Sequence, residues 1–161
     1  MASPKLALVG IIPAMIAMTT SYQTGVALKN QRDFDENLFT LIQKDLLDNN
    51  IDGTDIYILG SAPVAPHAEI ANNKNKLIEK INHPAEGWQA AGLLREKGVD
   101  NVQYLFSAEF MSLQDVFKKD MCDDVPKEIS KNSMYSIYLS SDKAYILLST
   151  NRDKYCLDKN E

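Results

Sequence analysis

The sequence predicts an α/β (α+β) fold, with a long N-terminal helix over residues 1–48 and a small α/β domain over residues 49–161. Three observations carry this. An uncharged apolar run at residues 6–18 passes without a break into a stretch patterned as a helix. The turn cluster Asp48-Asn-Asn-Ile-Asp-Gly53 then stops that pattern. Near the C-terminus, two β-rich runs separated by Ser140-Ser-Asp142 have the form of a hairpin.

Phe34, Leu38, Leu41, Ile42 and Leu46 recur on one helical face, and no proline falls between Tyr22 and Asp48. One helix of about 43 residues, roughly 65 Å long, follows from this pattern. With Thr19 to Tyr22 the apolar run reaches about 17 residues, the lower limit for crossing a bilayer. The first half of the helix is therefore expected to sit in lipid as a transmembrane segment, with Pro13 kinking it there. The second half is expected to lay its apolar stripe on the domain. A secretory signal would also begin with Lys5 and an apolar core, but the Ala-x-Ala spacing of a cleavage site is missing. Lys5 precedes the span while Lys29 and Arg32 follow it, which by one charge favours a cytoplasmic domain.

Beyond the turn, Asp55-Ile-Tyr-Ile-Leu-Gly60 reads as a buried strand, and residues 61–67, with two prolines, as a loop. Residues 72–81 fit a short helix or an extended segment equally well. In residues 86–97, Trp88, Ala91, Leu94 and Arg95 stand at helical spacing, and Gly98 is the expected C-cap. Residues 99–106 read as a second strand and residues 112–119 as a short amphipathic helix. The hairpin pairs Met134-Tyr-Ser-Ile-Tyr-Leu139 with Lys143-Ala-Tyr-Ile-Leu-Leu148. A polar tail from Asn151 should fray unless Cys156 holds it. The sum is a small sandwich of about three to five strands, covered by the 86–97 helix and the end of the leader helix.

A net charge of -5 and a pI near 5.0 exclude the clustered basic surface that nucleic acid requires. Cys122 and Cys156 have no Cys-x-x-Cys spacing, which leaves two free thiols or one disulfide. A bridge would tie the tail to the 120–124 loop. Ser61 and His67 are a nucleophile and a base by type, but no Gly-x-Ser-x-Gly elbow surrounds them. His67 and His83 lie in separate loops without acidic residues at ligand spacing, so no metal site is expected. Asp33-Phe-Asp35 looks like the Asp-x-Asp of metal-dependent glycosyltransferases. On a helix, however, two positions point roughly 200° apart, and the two carboxylates cannot grip one ion. Asp123-Asp124 reads as a solvated turn. Trp88 and tyrosines 57, 104, 135, 138, 145 and 155 offer stacking faces for a sugar, although alternate aromatic positions on strands more often serve the core.

Tyr22-Gln-Thr-Gly25-Val-Ala-Leu-Lys29-Asn-Gln31, then Phe34-Asp35, then the Gly-ended strand Ile56-Tyr-Ile-Leu-Gly60 resemble one known family. These stretches are similar to the C-terminal region of the bacterial and phage O-antigen glucosyltransferases that change serotype. The resemblance implies a polytopic membrane body whose last transmembrane helix leads into a periplasmic domain. It implies glucose carried on undecaprenyl (bactoprenol) phosphate and transferred to O-antigen, with catalytic acids in earlier loops that match nothing here. This chain would then be a fragment or accessory domain with no catalytic residue and no cofactor of its own. Its expected place is the bacterial inner membrane with the domain in the periplasm, against the one-charge count. Its partners would be membrane lipid and, through the rest of the enzyme, the lipid-linked glucose and the O-antigen glycan. The alternative is a single-pass anchored, non-enzymatic module for interaction or assembly in the envelope.

Overall fold

Helix α1 spans Pro4–Asp48, with Pro13 inside it, and ends at the Asn49-Asn50 turn, where Asn50 takes a positive φ of 52°. The computed structural model describes residues 4–51, 53–103, 119–124, 126–140, 142–150 and 152–158. Two compact units emerge: residues up to Phe34 with Val64–His83, and Asp35–Pro63 with the residues from Pro84 on.

The first unit is helical. Helix α2, Pro66–Lys74, starts with proline at its first turn, where the missing N–H costs nothing. Pro66 and His67 thus leave the expected 61–67 loop and belong to α2. Helix α3, Lys76–Ile81, follows after one extended residue, Asn75, whose side chain accepts from the Leu77 N–H at 3.0 Å. The ambiguous 72–81 segment is therefore the junction of two helices. Small side chains let these helices approach α1: Ala27, Ala65, Ala68 and Ile78 form the core, with Phe34 and Ala71 packed on it. Gln31, nearly fully buried, accepts the Ala65 N–H at 2.8 Å.

In this unit Ile11, Ile12, Met15, Ile16 and Met18 of α1 are exposed. Among the described residues, no helix is long and apolar enough to cross a membrane. The transmembrane reading is overturned, and with it the placement in the inner membrane with a periplasmic domain. The apolar run is short, interrupted by Gly10 and Pro13, diluted by alanine, and followed directly by Thr19-Thr20-Ser21.

The second unit is a mixed five-stranded sheet with helical cover. Strand β1 is Asp55–Leu59, β2 Val102–Gln103, β3 Lys127–Lys131, β4 Tyr135–Ser140 and β5 Lys143–Leu148. Their order is β2-β1-β5-β4-β3. The β4–β5 hairpin is antiparallel, with Tyr138 opposite Tyr145. Strand β1 runs parallel to both neighbours, and Tyr57 pairs with Tyr145. Alternation puts Ile56, Ile58, Ile137, Ala144 and Ile146 on one face, and Tyr57, Leu59, Tyr138, Tyr145 and Leu147 on the other.

The first face lies in the core with Leu38, Phe39, Ile42 and Leu46 of α1, and with helix α4, Gly87–Glu96. Asp45 ties α1 to the sheet by accepting from Ser130 Oγ (2.6 Å) and from the Tyr135 hydroxyl (2.7 Å). Helix α4 ends in a Schellman motif: Gly98, at φ +85°, donates to the Arg95 carbonyl and Val99 to that of Leu94. That turn takes up residues expected in the second strand, so β2 starts only at Val102; residues 104–106 lie outside the described residues, as do 112–118 of the expected amphipathic helix.

The second face is covered by a π-helical turn, Lys119–Asp123, and by helix α5, Arg152–Asp158. Met121, Tyr138, Tyr145 and Leu147 form its core, with Cys122 and Tyr155 against them. Cys122 and Cys156 are joined by a disulfide, Cα to Cα 5.8 Å, the one condition under which the tail is expected to be held, and Arg152–Asp158 is helical. Arg152 reinforces the join by donating to the carbonyls of Met121 (2.5 Å) and Cys122 (3.0 Å).

Candidate functional site

Strands β1 and β5 are parallel neighbours, so their carboxyl ends open on one edge of the sheet, where α/β folds place ligand loops. Positive-φ residues gather there. Gly60 (φ +85°) ends β1, and a Cβ on it would stand 2.7 Å from the Leu148 carbonyl oxygen. Ser149 (φ +56°) follows β5 in a conformation uncommon outside glycine. Two bonds of 2.8 Å hold it: its N–H donates to the Met134 carbonyl, and its hydroxyl to the Ser61 carbonyl. Strain kept in place by its surroundings is a property of built sites.

The loop after β1 is tied to the start of α4. Ser61 bridges Glu86, and the Ala62 N–H donates to the Ala85 carbonyl at 2.8 Å. The Ala85 N–H in turn donates to the buried Asp35 carboxylate at 3.1 Å. Gly87 (φ +49°) then turns the chain into α4. That helix buries Ala90, Ala91 and Leu94, which leaves Trp88 outward and 60% exposed. Arg95 donates to the Val102 carbonyl at 2.6 Å. Glu86 and Trp88, both exposed, thus stand at the start of α4, which the Ser61–Glu86 bridge joins to this edge, and Ser149 closes on Ser61.

Replacing Gly60 by alanine is expected to destabilise the second unit by about 2–3 kcal/mol. The substitution forces a left-handed φ and meets backbone rather than a movable side chain. Urea unfolding checks this, and an unchanged midpoint would contradict it.

The other sequence candidates separate. Ser61 belongs to the second unit and His67, exposed on α2, to the first. His83 is exposed, as are Asp123 and Asp124. Asp33 is exposed while Asp35 is buried on a backbone N–H, so the two carboxylates do face different ways. Tyr135, Tyr138 and Tyr145 are core residues, Tyr155 of α5 packs against the Tyr138–Tyr145 cluster, and Tyr104 lies outside the described residues. Tyr57 stacks on Tyr145 with ring centroids 5.8 Å apart. Of the stacking candidates that are described, Trp88 is the one most open to a ligand. Ser149 was not legible as a site residue, because its partner Ser61 is 88 positions away.

The tyrosine cluster is a stability device. Burial pushes the Tyr135 hydroxyl up to about 12, helped by its bond to Asp45 and by that residue's charge. Burial also raises Tyr145, whose hydroxyl donates to Asp120 at 2.5 Å while Lys143 pairs with the same oxygen at 3.3 Å. Unfolded tyrosine ionises near pH 10, so above that the unfolded chain sheds protons the folded chain keeps. The stabilisation is whole below about pH 10 and is lost as pH climbs toward about 12. The urea midpoint is expected to fall across that window; a level midpoint would contradict the assignment.

Comparison with protein-family models, with curated proteins and with solved structures returned no match.

Proposed function

We propose that this chain is a non-catalytic, acceptor-side domain of a glucosyltransferase that moves glucose from a polyprenyl-phosphate carrier to O-antigen. The observation that supports this most is the use made of the residues that carry the resemblance. Gln31 and Asp35 are spent on backbone N–H groups at Ala65 and Ala85, and Gly60 on a close approach to Leu148. Each of these contacts shapes a loop. A domain of this kind holds the glycan while the transfer happens on another part of the enzyme, and it needs no membrane-spanning helix to do so.

The test is mass analysis of O-polysaccharide from cells with and without the intact chain. Loss of the glucose branch on deletion, restored by re-expression, is the expected result. Unchanged glucosylation would overturn the reading, and glucose transfer by the isolated chain would overturn its non-catalytic part.

A second reading, a non-enzymatic interaction module, is favoured by the exposed apolar side chains of α1, from Ile11 to Tyr22, which is 74% exposed. It predicts a protein partner captured without sugar and retained when Trp88 is replaced.

A further inference from the structure

Helix α1 carries an apolar stripe that stands open in the first unit. Ile11, Met15, Met18, Tyr22 and Val26 follow at spacings of four, three, four and four, within an arc of about 80°. Their exposure runs from 41% at Val26 to 74% at Tyr22. Pro13, roughly 200° round the helix from Ile11, lies off the stripe. Lys29 comes next on the same face and ends it, and residues 6–28 hold no charge. At Tyr22 and Val26 the stripe enters a groove of about 230 Å³ between α1 and α2, lined also by Ile70, Ala71, His67 and Lys74.

We propose that this face pairs α1 with α1 of a second copy, antiparallel, about a two-fold axis beside Met18. The spacing of the stripe is one reason for a second copy as occupant. An axis there sets each Ile11 opposite the partner's Val26 and each Met15 opposite the partner's Tyr22. Each chain then fills the other's groove, and both stripes are covered from end to end, the self-complementarity of a two-fold interface. Area is another reason. With Ile12, Ile16 and Ile70, each more than half exposed, eight side chains stand at this face. At roughly 100 Å² apiece they come to about the 800 Å² that each partner gives to a stable interface. Charge is the third. A chain of net charge -5 repels its own copy over much of its surface, whereas uncharged helix here meets uncharged helix.

The full chain is examined by sedimentation equilibrium without lipid, detergent or sugar, and a dimer that dissociates on dilution is expected. Met18→Glu places two carboxylates beside the axis and should weaken the dimer about 100-fold, as should Met18→Lys, while an equimolar mixture of the two restores it. That rescue separates a lost interface from a lost fold. Ile11→Glu with Val26→Lys in one chain sets unlike charges opposite each other in the antiparallel pair, so it should dimerise more tightly than Ile11→Glu with Val26→Glu. A chain monomeric at every concentration, a dimer that Met18→Glu leaves intact, or an order reversed between the two double variants would overturn the proposal. So would a monomer that instead coats phosphatidylglycerol vesicles. The pairing goes beyond the acceptor-side role and fails separately from it: a monomer whose deletion still abolishes glucosylation removes the dimer alone.

Discussion

Replacing both Cys122 and Cys156 by serine is expected to lower the unfolding free energy by about 3–4 kcal/mol, the cost of releasing a loop of this length in the chain-entropy model. The two cysteines are 34 positions apart, and they join the π-helical turn to α5. Helix α5 has seven residues, too few to persist alone, and it sits on the π-helical turn through Cys122, Tyr155 and the Arg152 bonds to the Met121 and Cys122 carbonyls. Without the bridge, α5 should lose protection against amide exchange before the sheet does, and the Tyr138–Tyr145 face should open to solvent. Chemical unfolding of the bridged and the serine chains measures the difference. A loss below about 1 kcal/mol would mean that packing alone seats the helix.

Asp45→Ala should cost about 2–4 kcal/mol, because two hydroxyls lose a charged acceptor at once. The Tyr135 hydroxyl belongs to a residue only 3% exposed, so water does not readily replace the carboxylate. Asp45→Asn keeps an acceptor and should recover part of the loss. The variant has a second readout that a general loosening would not give. Asp45 is one cause of the high Tyr135 ionisation, after burial, so alkaline absorbance titration should find that tyrosine ionising at lower pH in Asp45→Ala while it remains above its ordinary value. An unmoved titration would show that the carboxylate does not engage Tyr135.

Legibility tracked how local the deciding interactions are. The β4–β5 hairpin, strand β1 and helix α4 were readable because alternation, helical spacing and Gly98 act within a few residues. The helical spacing of Asp33 and Asp35 likewise foretold that their carboxylates point apart, and one is exposed while the other is buried. Strand β3 carries no apolar alternation. Lys127, Glu128 and Lys131 suit a sheet edge that must not pair further, and such a strand hides in a charged stretch. The insertion of β5 beside β1 joins segments almost ninety residues apart and leaves no local mark. The apolar leader misled for the opposite reason: an uncharged run was read as lipid-facing from composition alone, although its length barely met the threshold. For the candidate site, Trp88 was visible as a residue type. Its exposure came from the burial of Ala90, Ala91 and Leu94, and the nearby strained edge from Ser149 closing on Ser61.

Amide chemical-shift mapping of the intact chain, titrated with delipidated O-polysaccharide, reaches the centre of the matter. Shifts confined to Gly60, Ser61, residues 86–92 and Ser149 are the predicted result. Shifts absent altogether, or gathered on the α5 face around Tyr155, would contradict a glycan-holding edge at the carboxyl ends of β1 and β5.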